Sequence, residues 1–171
     1  LQQIVSRSGA PTMPSVLTFG KINSKGGAHN VIPDEVTVLG TLRTMDEDWR
    51  AEAKEKMTKM ASGMAESMGG SCEVEIMQGY PYLVNNEQLT AKAKQYAIEY
   101  LGKENVVDLP IRMTGEDFAY YSQQIPACFY RLGIKNPAKG DFGSLHTGSF
   151  NVDEDCLLHS IGLMSWLAIR E

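Results

Sequence analysis

Two strand-like runs, residues 16–23 and 35–44, are separated by Gly26-Gly27-Ala28-His29-Asn30-Val31-Ile32-Pro33-Asp34, and no other stretch constrains the fold as much. Gly-Gly lets the backbone approach a neighbour closely, and Pro33 fixes the exit from the bend. In the second run Val36, Val38, Gly40 and Leu42 share one face, while Thr37, Thr41 and Arg43 share the other. The arginine therefore falls on the more polar side of a half-buried sheet. Asn30 and Arg43 offer a neutral and a charged donor from one scaffold, and a guanidinium fork suits a carboxylate. This pattern fits a clamp for an anionic small molecule. It also fits a plain hairpin carrying a surface arginine.

The flanking segments supply helices to cover such a sheet. Residues 1–8 read as the tail of a helix, closed by Ser8-Gly9 and then Pro11 and Pro14. Asp46 is placed to cap a long helix that ends at Gly69-Gly70. Its stripe of Trp49, Ala53, Met57, Met60, Met64 and Met68 has the spacing of a core face or a subunit contact. Residues 72–76 alternate Cys72, Val74 and Ile76 with Glu73 and Glu75, the pattern of a strand with one wet face. The character changes near Gly79-Tyr80-Pro81. Asn85 or Asn86 then caps a helix with Leu89, Ala93, Tyr96, Ala97 and Tyr100 inward, closed by Gly102. Short strands over 106–109 and 127–134, a short helix over 116–124, and a final helix capped by Asp153 complete the chain. The order predicts a small α+β layer followed by the end of an α/β domain.

Composition narrows the partners. The 171 residues carry a net charge of −5 and no basic run, which argues against nucleic acid. No apolar stretch reaches membrane-spanning length, so no membrane partner is expected. Cys72, Cys128 and Cys156 are scattered among apolar neighbours, which predicts reduced thiols and a cytoplasmic protein. The chain starts at Leu1 inside a helical pattern, as a piece of a longer protein would.

Two loops carry residues fit for chemistry. His146 lies in Gly143-Ser144-Leu145-His146-Thr147-Gly148-Ser149-Phe150, between a buried strand and a capped helix, where α/β proteins build sites. Neutral imidazole ligates zinc and similar ions, though no HExxH or CxxC pattern supplies companions. In Thr114-Gly115-Glu116-Asp117-Phe118, Gly115 allows close backbone approach, and Glu116 or Asp117 can orient a ligand or favour a helix start. His29 is a further donor beside Asn30 or an exposed turn residue. His159 reads as a packing or surface residue of the last helix.

Taken in order, GGAHNVIPD, GTLR, TGEDFAYY and LHTGSFNVDED resemble the zinc aminoacylase and carboxypeptidase family, in particular its N-acyl-amino-acid and auxin-conjugate amidohydrolases. The resemblance runs from about Ser15 to the end. It implies α/β with α+β architecture: a ferredoxin-like lid and dimerisation domain over residues 1–79, then the C-terminal part of a zinc-peptidase-like catalytic domain over 80–171. It also implies that His146 is a metal ligand, and that Asn30, Arg43, Gly115, Glu116 and His29 contact the substrate. The implied cofactors are two divalent ions, zinc foremost, with manganese, cobalt or nickel as alternatives. The implied substrate is an N-acyl amino acid or small peptide, and the implied assembly is a homodimer through the lid. Nothing in this sequence matches the family's first lid strand, its other metal ligands or its general-base glutamate, so the polypeptide alone is expected to be inactive. A non-catalytic ferredoxin-like dimerisation and ligand-binding module, or a purely structural α+β domain, are the other classes that fit.

Overall fold

A computed structural model describes residues 1–170 as a mixed α/β chain of two compact units. One unit comprises Leu1–Leu83 with Arg112–Ala119; the other comprises Val84–Ile111 with Tyr120 onward. The TGEDF segment thus packs with the first unit, although it follows the change of character at Gly79-Tyr80-Pro81.

The first unit is built on an antiparallel hairpin of β1 (Ser15–Lys25) and β2 (Glu35–Thr44), with Val16 opposite Arg43 and Lys25 opposite Glu35. A bulge between Phe19 and Lys21 interrupts the register at Gly20. Helix α1 (Glu47–Ser67) starts where the sequence places its cap, the Asp46 carboxylate accepting from the Trp49 N–H at 2.7 Å. Ile4, Leu17, Trp49, Ala53 and Met57 form the buried core, with Val5, Met13, Phe19 and Leu42 packed around it. Ile4 belongs to a single wide helical turn, Ile4–Ser8. The indole of Trp49 also donates to Ser15 Oγ at 3.0 Å, and Ser15 donates to Thr44 Oγ1 at 3.1 Å. One residue thereby joins the start of β1, the end of β2 and the first turn of α1.

The methionine stripe is core as far as Met57, while Met60, Met64 and Met68 are exposed. One expectation needs correction here. Residues 72–76 form no strand. They run along α1, with the Cys72 carbonyl accepting from Ser62 and the Gln78 side chain accepting from Lys54. Among the described residues no backbone group pairs with them, and a strand exists only by virtue of a neighbour. Cys72 is accordingly an exposed thiol; Cys128 and Cys156 are half-buried, and all three are free.

The second unit pairs α2 (Glu87–Leu101) with α4 (Asp155–Arg170). Asn86 caps α2 by accepting from the Leu89 N–H at 3.0 Å, and Gly102 ends it. Tyr100 stacks on Trp166 with ring centroids 6.3 Å apart, and the Arg170 guanidinium lies over Tyr96 and Trp166. Gly162 makes this approach possible, since a Cβ there would run into the Tyr100 hydroxyl. The strands expected over 106–109 and 127–134 are also absent. The second of these segments is held instead by Asn85, whose amide both accepts from the Phe129 N–H and donates to its carbonyl. The short helix expected over 116–124 contracts to α3 (Ala119–Ser122).

Removing the Trp49 ring should unfold the first unit. Trp49→Ala is expected to cost about 3–5 kcal/mol, and Trp49→Phe about 1–2 kcal/mol through the lost hydrogen bond. Urea unfolding measures both, and a loss below about 1 kcal/mol for Trp49→Ala would contradict this role.

Candidate functional site

In the first unit, Arg43 sits at the end of β2 near α1, with its guanidinium largely in solvent. Its Nη1 donates to the Met113 carbonyl at 3.1 Å, which ties GTLR to the start of TGEDF. The neighbouring backbone is fixed from α1. Arg50 donates to the Tyr80 carbonyl at 2.8 Å and pairs with Glu47 at 3.1 Å, while Glu47 accepts from the Tyr82 N–H at 3.0 Å. Gly115 lies against this strap, a Cβ there standing 3.6 Å from the Tyr80 ring. Glu116 uses its carbonyl to accept from the Ala119 N–H at the entry to α3. The residue as a whole is half-buried.

Arg43 thus meets the segment that carries Gly115 and Glu116, at Met113, whereas His29 and Asn30 do not join it. These two occupy an exposed turn, Val31 N–H to Ala28 carbonyl, in the loop beyond Glu35. Glu35 and Arg43 stand at opposite ends of β2, roughly 25 Å apart at the rise of an extended strand. One small carboxylate cannot span that length. Within this chain Arg43 is therefore tied to the 113–116 segment, and the His29–Asn30 turn lies apart from it.

In the second unit, His146 stands at the tip of a loop closed in tiers. The Asp153 N–H donates to the Ile134 carbonyl at 2.8 Å at the base, and Asn151 N–H donates to the Phe142 carbonyl at 2.9 Å above it. At the tip, Thr147 Oγ1 donates to the Ser144 carbonyl at 2.7 Å and contacts Ser149 Oγ. Gly143 adopts φ +63°, and a Cβ there would meet the Ser149 carbonyl at 2.6 Å. His146 itself has φ +64°, in the left-handed region, the one non-glycine among the described residues to do so. The residue is exposed, and no hydrogen bond or ion pair from the described residues engages its ring. A side chain in that conformation costs about 1–2 kcal/mol over an ordinary one, and such outliers gather at functional sites.

The base of this loop is ionic. Lys139 Nζ donates to Asp153 Oδ1 at 2.6 Å and to Asp155 Oδ2 at 2.5 Å. Lys135 Nζ donates to the Gly143 carbonyl. Hydrogen bonds to Asp153 and then Asp155 push the Lys139 ammonium up to about 12, and the Lys139 hydrogen bond pulls the Asp153 carboxyl below its usual value. The sequence pattern marks Asp153 as a helix cap only. It does accept from the Asp155 N–H, at 3.2 Å, but its main partner lies fourteen residues upstream, a spacing no local pattern announces.

The resemblance implies one metal ligand among the described residues, His146. The exposed imidazole of His146 suits a ligand position, but among the described residues no group of three His, Cys, Asp or Glu side chains could hold an ion. A catalytic zinc needs about three protein ligands, so the described residues do not complete a centre by themselves.

The charge shifts carry a pH signature. The lowered carboxyl stabilises the fold above the usual aspartate value of 3.8, and that contribution is lost as pH falls through its own lower value. The raised ammonium contributes below its usual 10.5 and loses its effect as pH climbs through about 12. Between these limits the pair contributes constantly. Carbon-detected NMR should find Asp153 titrating below ordinary aspartate and returning toward it in Lys139→Met; an unchanged titration would contradict the pairing.

Comparison with known proteins agrees with the ordered motifs. An N-acetyldiaminopimelate deacetylase of Enterococcus faecalis is 34% identical over 170 residues, covering 96% of this chain and 42% of that protein. The IAA-amino acid hydrolase ILR1-like 4 of Arabidopsis thaliana is 32% identical, covering 99% of this chain and 39% of its own length. A solved dinuclear metal binding peptidase of the M20 family from Bacillus subtilis superposes with a TM-score of 0.69 at 26% identity, over 98% of this chain and 44% of that one. The chain spans about two fifths of the length of the curated relatives it matches. With residues 6–169 matching it, the chain belongs to Peptidase family M20/M25/M40.

Proposed function

We propose that this chain supplies the substrate-recognition part and one metal ligand of a metal-dependent amidohydrolase that cleaves N-acyl amino acids or small peptides. The observation that carries the reading is His146, a free imidazole kept at φ +64° where glycine would be unstrained. Two divalent ions, zinc foremost with manganese, cobalt or nickel as alternatives, would polarise the scissile carbonyl and activate water. The remaining ligands and the general base belong to residues outside those described.

Arg43 binds the substrate carboxylate with the N–H donors left over from its bond to Met113. Gly115 lets the substrate approach the backbone. Glu116, an acceptor when ionised, suits the substrate's amide N–H and repels a misplaced carboxylate. The His29–Asn30 turn offers donors at a distance and takes no part in the Arg43 grip. Residues 1–79 act as a ferredoxin-like lid and dimer surface, residues 80–171 as the C-terminal part of the catalytic domain, and the reduced thiols suit a cytoplasmic enzyme.

The full-length polypeptide carrying these residues provides the test. His146→Ala should lower metal content and reduce kcat at least about 100-fold, whereas Arg43→Ala should act mainly by raising KM for the acyl amino acid. An unchanged rate in His146→Ala would favour a non-catalytic binding module. In the 171-residue chain alone, His146→Gly should leave stability unchanged or raise it by about 1 kcal/mol. A clear loss of stability in that variant would show the imidazole to be structural.

A further inference from the structure

We infer that Lys139 is a positioning residue for His146, its ammonium bridging Asp153 and Asp155 to hold the base of the loop that presents the imidazole. The inference rests on the reading of His146 as a metal ligand, and it adds the groups that keep the ligand in place.

The geometry places the ion triad where the loop needs it. Ile134 and Asp153 are joined by one backbone hydrogen bond, and the chain between them contains only a single helical turn, Pro137–Lys139. A loop of this length without further ties would sample many conformations. Lys139 lies at the end of that turn, on the ascending limb. From there it reaches Asp153 on the descending limb, and Asp155 in the first turn of α4. The same ammonium therefore fastens both limbs to a helix that packs on α2. Asp153 is nearly covered, so its carboxylate has few other partners, Asn136 and the Asp155 N–H among them. Lys135 adds a second cationic tie, from the ascending limb to the Gly143 carbonyl, three residues before His146.

Magnitude separates this role from one in global stability. Lys139 and Asp155 are open to solvent, and pairs of that kind contribute little to the free energy of folding. What they restrict is local. The left-handed conformation of His146 is unfavourable by itself and persists only where its surroundings over-determine it. Releasing the base lets the tip relax toward ordinary dihedrals and moves the imidazole. Outer groups that fix a ligand's orientation typically change metal affinity 10–100-fold.

The test compares Lys139→Met, Lys139→Arg and His146→Ala. In the 171-residue chain, amide hydrogen exchange reads the loop without any metal. Lys139→Met should speed exchange of the Asn151 and Asp153 amides about tenfold or more, at unchanged exchange in the middle of α2 and α4. Lys139→Arg should restore protection. In the full-length polypeptide, zinc affinity measured by chelator competition should fall about tenfold or more in Lys139→Met and recover in Lys139→Arg. Unchanged loop exchange in Lys139→Met overturns the inference, as does faster exchange spread evenly over α2 and α4. Selective loop opening with undiminished zinc affinity also overturns it, provided His146→Ala abolishes binding. Zinc affinity insensitive to His146→Ala removes the ligand itself, and the positioning role with it.

Discussion

The first unit depends on the indole of Trp49. A two-stranded hairpin is marginal in water without something to cover a face, and β1 and β2 have no third strand among the described residues. Trp49 provides the cover at one end of the hairpin. It buries its ring with Leu17, Ile4, Ala53 and Met57, and its N–H satisfies Ser15, which satisfies Thr44 in turn. Its backbone N–H closes the Asp46 cap, so helix initiation and hairpin closure are one event. The position of Arg43 follows from this, because Arg43 precedes Thr44 in β2 and bonds Met113, while nearby Gly115 lies against Tyr80, which Arg50 tethers to the same first turn of α1.

Away from that end the sheet thins out, and the reason is pairing. Ile22, Val36, Val38 and Leu39 are apolar yet exposed, as are Met60, Met64 and Met68 on α1. Residues 72–78 are extended in sequence character but bond sideways to helix side chains. In the second unit residues 107–111 likewise have no backbone partner among those described. Asn85 shows what replaces a ladder when a strand is lacking. Its amide satisfies both backbone groups of Phe129, as an opposing strand residue would.

The contrast explains what could be read from sequence. Helix boundaries were legible because their determinants are local: Asp46 and Asn86 accept from residues three places on, and Gly102 follows the last turn. The hairpin was legible because both partners lie within thirty residues and Pro33 and the glycines mark the bend. The strands over 72–76, 106–109 and 127–134 have the right alternation, but alternation states a face and says nothing of a neighbour. The same limit applied to the sites. His146 and TGEDF stood out by residue type. The bond from Arg43 to Met113 spans 70 positions and the Lys139 bridge spans 14, so their geometry had to come from the fold. The separation of Asn30 from Arg43 is the reverse case, near in sequence and held apart by the stiffness of a strand.

The two candidate sites solve opposite physical problems. Arg43 needs no strain to act: an exposed guanidinium with one donor committed to Met113 retains others for a carboxylate, and the strand beneath it supplies direction. His146 has no strand beneath it. Its imidazole is presented by a loop, in a backbone conformation that favours glycine, and the tilt of the ring depends on dihedrals that solvent alone would not preserve. A metal ligand tolerates little angular freedom, because entropy lost on binding is entropy that preorganisation has already removed. Ionic ties at the loop base suit this task better than apolar packing, which an exposed tip cannot recruit. Charge-assisted hydrogen bonds are short and directional, and three groups on two limbs and a helix leave the base few ways to move. The loop's ionic ties are thus placed at its base, and its backbone strain falls on His146, the proposed metal ligand.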